Sequence, residues 1–187
     1  MSWLSREELE DMRFGALGEN LKISRNAVFH NCANIFIGDN VRVSDFSVVS
    51  AGEGGVHIGR YTHLGVQSSV LGPGKVTFEE FCGVSAKVSF FSGNDDYSGD
   101  YLIGPTVPDK YKNVTVEDIF IGRHAVIGSG SIILPGVTMH EGAAIGSLSL
   151  VKDDCEAFTI YAGTPAKKVK ERKRGLLKLR EELLASC

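Results

Sequence analysis

Over residues 121–154, "IGRHAVIGSGSIILPGVTMHEGAAIGSLSLVKDD", an aliphatic residue returns at every sixth position: Ile121, Ile127, Ile133, Met139, Ile145 and Val151. Six is neither the helical period of 3.6 nor the alternation of a long strand. Glycine follows directly at Gly122, Gly128 and Gly146, so the chain turns at fixed intervals. The frame also runs upstream through Ile37, Val43 and Val49. It shifts by three residues in "SAGEGGVH" and resumes at Ile58, Leu64, Val70, Val76, Cys82 and Val88. It breaks over residues 93–118, and a rougher coil covers "LKISRNAVFHNCANIF".

A short fixed repeat is the signature of a solenoid. One hexad cannot bury its aliphatic side chain alone, whereas stacked hexads bury a continuous column. Three hexads make one triangular coil. Small residues at the fifth hexad position (Thr62, Ser68, Ala86, Ser131, Ala143 and Ser149) suit the inside of a narrow prism. The expected fold is an all-β solenoid, a parallel β-helix over residues 21–164 with the loop 93–118 inserted. A helical segment is expected within residues 1–20 and a second helix over 165–187. In the first, Ser5 and Glu8 form a capping box, with Leu4 and Leu9 as its hydrophobic staple. The second carries Val169, Leu176, Leu179 and Leu183 near one face, with Pro165 in its first turn. Both helices are expected to cover or brace the open ends.

Composition narrows the function. The 187 residues carry a net charge of −3, so no nucleic-acid partner is indicated. No apolar run approaches membrane-spanning length, and "MSWLSREELED" lacks the features of a signal peptide, which points to the cytoplasm. Cys32, Cys82, Cys155 and Cys187 are scattered and read as free thiols. The five histidines lack the spacing of a three-histidine metal site, so no metal is expected. His124 and His140 fall at corner positions and read as structural. His30 and His57 carry no sharp signal.

The hexads, the interruption at 93–118 and the ending "VKDDCEAFTIYAGTPAKKVKER" together resemble the left-handed β-helix hexapeptide-repeat acyltransferases. "RVSDFSVVSAG", "YTHLGVQSSVLG" and "DDYSGDYLIGPTVPDKY" resemble, more narrowly, the enzymes that acylate nucleotide-linked amino sugars such as a dTDP-4-amino-4,6-dideoxyhexose. These serve surface-polysaccharide biosynthesis. The resemblance implies a homotrimer with its active site between subunits, acetyl-CoA as acyl donor, and a nucleotide sugar as acceptor.

It also implies a set of site residues. Acyl transfer from a thioester needs a base, an oxyanion donor and fixed geometry. Where many sugar O-acetyltransferases of this fold have a loop histidine, this chain has Asn94, Asp95 and Asp96. Asp95, with Asn94, becomes the candidate for proton transfer or for holding the amine. His63 resembles the histidine beside the thioester in amino-sugar N-acetyltransferases. Ser129, Gly146 and Ser147 are expected along the pantetheine groove. Lys152, Lys167, Lys168 and Arg172 are expected near the CoA phosphates, with Gly163 and Pro165 shaping the turn. Asp45, Asp96, Tyr97, Tyr101 and Lys110 are the acceptor-site candidates. Two alternatives stand beside this reading: a sugar O-acetyltransferase, and a non-catalytic trimeric scaffold.

Overall fold

The structure, a computed structural model, describes residues 2–186. Three parallel sheets form the faces of a triangular prism. The first face stacks Ala16–Leu17, Ile35–Ile37, Val56–Ile58, Val76–Phe78, Ile119–Ile121 and Thr138–Met139. The second stacks Lys22–Ile23, Arg42–Val43, His63–Leu64, Gly83–Val84, Val126–Ile127, Ala144–Ile145 and Thr159–Ala162, and adds the antiparallel edge strand Lys167–Glu171. The third stacks Val28–His30, Val48–Ser50, Ser69–Leu71, Ser89–Phe91, Ile132–Ile133 and Leu150–Val151. Each strand pairs with the same face of the next coil, so the solenoid expected from the hexads is present.

The core is the stacked column itself. Ile37, Ile58, Phe78, Ile121 and Met139 stand in register on the first face. Val43, Leu64, Val84, Ile127 and Ile145 do so on the second, and Val49, Val70, Phe90, Ile133 and Val151 on the third. All are buried. A second inward position lies two residues before each of them. It holds Val76, Cys82 and Val88, which are also buried.

Those three residues correct the hexad frame. Phe78, Val84 and Phe90, not Val76, Cys82 and Val88, continue the column of Ile58, Leu64 and Val70. The corner at Gly72, Pro73 and Gly74 holds two extra residues. It rests on the enlarged corner below, where a Cβ on Gly52 would lie 2.3 Å from Pro73 Cα and one on Gly54 2.3 Å from Lys75 N. Ala86 consequently falls outside the prism and is only half-buried, whereas Thr62, Ser68, Ser131, Ala143 and Ser149 are buried as expected.

Helix α1 (Arg6–Asp11) carries the Ser5–Glu8 capping box and buries Leu9 against the first coils. The C-terminal segment differs from expectation. Pro165 follows a cis bond, and Val169 lies in the strand Lys167–Glu171. Helix α2 spans only Leu176–Ala185 and lies alongside the middle coils, where Arg180 reaches Glu80. The sheet claims residues 167–171 because Thr159–Ala162 would otherwise present an open edge. Cys32, Cys82 and Cys155 are free thiols, and burial pushes the last two up to about 12. Cys187 lies outside the described residues.

Candidate active site

His63 projects from the outer side of the second face, beside Arg42 of the coil below and Gly83 of the coil above. Its Nε2 lies 3.0 Å from the hydroxyl of Ser44, a buried residue. Part of the ring reaches solvent, but burial of the rest, and then the Arg42 charge, lower its pKa. His63 is therefore a neutral imidazole near pH 7, a state able to accept a proton.

The third face ends at the insertion. Gly93–Asn94 pairs antiparallel with Thr115–Val116, so a two-stranded ribbon closes the base of the loop. Asn94 and Asp95 emerge from this ribbon into a pocket of about 500 Å³, lined also by Leu71, Pro73, Phe91, Pro105 and Lys112. Asp95 is half-buried, and Gly104 N lies 3.5 Å from its Oδ1. A carboxylate and a lysine facing one partly apolar pocket suit a polar ligand with an apolar ring. Lys112, which reading the sequence overlooked, is held by Asp109 at 2.9 Å.

The other acceptor candidates separate from this pocket. Asp96 is engaged in its own turn, accepting from Ser98 N at 2.8 Å and from Asn113 Nδ2 at 3.0 Å. Asp45 accepts from the Ser24 hydroxyl and the Asn26 amide at a corner of the prism. Tyr97 and Tyr101 are exposed on the loop, and Lys110 lies over the Tyr111 ring. None of these five lines the Asp95 pocket.

Ser129 and Ser147 stack on adjacent coils at the end of the second face, and both are exposed, with Gly146 beside them. Gly163 joins this corner: its N–H donates to Ser149 Oγ, and its carbonyl accepts from Leu150 N. Its φ of +104 favours glycine. Pro165 follows in the turn, and Lys167 and Lys168 open the return strand. Lys168 is paired with Glu156 at 2.7 Å and Lys152 with Asp153 at 3.3 Å. Arg172 stands apart from this corner. The antiparallel return carries it to the opposite end of the face, where its Nη1 donates to the carbonyls of His124 (2.7 Å) and Gly142 (3.0 Å). Arg172 there braces the solenoid rather than the corner with Ser147.

His124, at a corner position, is buried. It stacks at 5.1 Å on Phe81, which stacks at 4.8 Å on Tyr61. Among the described residues, no group of three or more His, Cys, Asp or Glu is placed to hold a metal ion.

No protein-family model matches the chain. The chain is 52% identical over 179 residues to the dTDP-4-amino-4,6-dideoxy-D-glucose acyltransferase of Escherichia coli, covering 96% of this chain and 93% of that one. It belongs to that acyltransferase family. The acyltransferase also superimposes on AntD, an N-acyltransferase from Bacillus cereus solved with dTDP and coenzyme A. The TM-score is 0.95, with 38% identity and complete coverage of both chains. A maltose O-acetyltransferase from Clostridium difficile shares the fold at a TM-score of 0.61 and 20% identity, covering 90% of this chain and 77% of that one.

That AntD structure carries an aspartate replaced by asparagine; others have the same aspartate replaced by alanine, or a serine ten positions earlier replaced by cysteine, alanine or threonine. In this acyltransferase, only Ser85 and Asp95 form a serine–aspartate pair at that spacing. Ser85 was not among the sequence candidates. Its signal is a polar residue at a corner where the coils on either side have Gly65 and Gly128.

Proposed function

We propose that this enzyme transfers the acyl group of an acyl-CoA, acetyl-CoA in the first instance, to the 4-amino group of dTDP-4-amino-4,6-dideoxyglucose. The observation that carries this reading is the full-length match to an acyltransferase named for that sugar, with Ser85 and Asp95 at the serine–aspartate spacing substituted in AntD. Complexes of AntD with dTDP-4-amino-4,6-dideoxyglucose and coenzyme A, and with dTDP and 3-hydroxybutyryl-CoA, support the two substrate classes.

In this reading the neutral sugar amine attacks the thioester carbonyl, and a C–N bond forms. The Asp95 carboxylate takes the proton the nitrogen loses. The tetrahedral oxyanion collapses, the C–S bond breaks, and coenzyme A leaves as a thiolate that takes up a proton. Asn94 steadies the amine beside Asp95. His63 and Ser85 lie on the wall that faces the thioester, and Ser129, Gly146 and Ser147 continue the pantetheine groove. Lys152, Lys167 and Lys168 border its phosphate end.

Ser85 precedes the strand Ser89–Phe91 and Asp95 follows it, so one strand of the third face separates them. A homotrimer, in which the Asp95 corner of one copy meets the Ser85 wall of the next, completes the site. We place this trimer in the cytoplasm, where acyl-CoA and nucleotide sugars are available.

The test is turnover of acetyl-CoA with the dTDP-amino sugar, with D95N compared to wild type. Release of coenzyme A with formation of the N-acyl sugar, lowered roughly 10²–10⁴-fold in D95N, is expected. Acylation only of a sugar hydroxyl, or full activity in D95N, contradicts the reading.

A further inference from the structure

Among the described residues, Gly83 is the only glycine within the strands of the three parallel faces. Glycine weakens a strand and often marks a place where another group approaches the backbone closely. Gly83 is not in the left-handed region. A Cβ added to it would meet only Val126 Cγ2, at an ordinary contact distance of 3.6 Å. The corner glycines above and below Ser85 are different. A Cβ on Gly65 would lie 2.6 Å from the Ser85 carbonyl carbon, and one on Gly128 would lie 2.5 Å from Ser147 N. Packing within the chain requires glycine at 65 and 128 but does not require it at 83.

The bare backbone at Gly83 leaves a slot on the outer side of the second face. His63 borders it one coil below and Val126 one coil above. Ser85 lies two residues along the chain. The slot opens into a groove of about 390 Å³ whose other walls include Phe81, Leu179 and Leu183. We propose that Gly83 keeps this slot open for the acyl group of the thioester donor, and so sets the acyl size the enzyme accepts. Phosphates and sugars need charged or polar partners, whereas a short acyl chain needs room and apolar walls. Val126 beside Gly83, and Phe81 on the side of Gly83 away from Ser85, supply those walls. The inference rests on the reading of Ser85 and Asp95 as the reaction centre.

The test titrates CoA, acetyl-CoA and butyryl-CoA into wild type, G83A and G83V, with the assembly state followed by size-exclusion chromatography. Alanine fits the free chain, so G83A folds. Filling the slot leaves CoA affinity within about twofold. It weakens butyryl-CoA most, roughly 10-fold or more in G83V, and acetyl-CoA less. Equal changes for all three ligands, or no change, overturn the proposal. Dissociation of the variants overturns it too, because the slot then seats a second copy. A wild type that binds none of the three removes the acyltransferase centre itself, and the slot with it.

Discussion

Arg180 of α2 donates to Glu80 at 2.6 Å, across one hundred residues of chain. Arg60 of the coil below Glu80 donates to the same carboxylate at 2.5 Å. Arg180 also lies over the Phe81 ring, 5.9 Å from its centroid. No residue of α2 is buried, and these contacts tie it to the middle coils.

E80Q is expected to loosen α2 and to cost about 1–3 kcal/mol, because it weakens hydrogen bonds to two charged partners. Burial by itself raises the Glu80 pKa, but the two guanidinium groups outweigh it and hold the carboxylate below its ordinary value. That stabilisation is complete above the unfolded pKa of about 4.3 and is lost as pH falls through the lower folded value. Urea unfolding of wild type and E80Q between pH 3 and 7 reads both effects. Parallel acid profiles for the two proteins would rule out this role for Glu80.

His57, His63 and His124 all have lowered pKa values, in each case chiefly through burial. The unfolded chain therefore takes up protons first as pH falls. Stability should be constant above the unfolded histidine pKa of about 6.5 and decline below it. H124N should flatten that decline. Thermal unfolding at pH 8.0, 6.5 and 5.5 checks the sign, and a midpoint that rises on acidification contradicts it.

The inner column predicts where truncation is costly. Ile133 is fully buried between Phe90 and Val151 of adjacent coils. I133A should cost about 2–5 kcal/mol, because rigid coils above and below restrict collapse of the cavity. A loss under about 1 kcal/mol in denaturant titration would contradict a tightly packed column.

Two glycine substitutions should separate fold from function. G128A drives a methyl group into the Ser147 backbone and should destabilise by about 1–3 kcal/mol. G83A adds a methyl group at ordinary contact distance from Val126 and should leave the unfolding midpoint unchanged or higher. Equal destabilisation by the two would show that Gly83 is also a packing requirement.

The sequence by itself determined the solenoid, because burial repeats at the pitch of the coil. The column from Ile121 to Val151, the capping box of Ser5 and Glu8 and the inserted loop were all legible as local pattern. The phase of the frame after residue 72 was not. Each hexad has two inward positions two residues apart, so a two-residue slip lands on Val76, Cys82 and Val88, which are buried as well.

Tertiary structure also decided which candidates belong together. Lys168 and Arg172 lie four residues apart in sequence, yet the return strand sends them toward opposite ends of the second face. Asp95 enters a pocket, while its neighbour Asp96 closes a turn. The neighbours of Gly83 come from the coils above and below it. Periodicity records which side chains must leave water. Contacts between coils about twenty residues or more apart depend on how corners and insertions stack, and no local pattern carries that information.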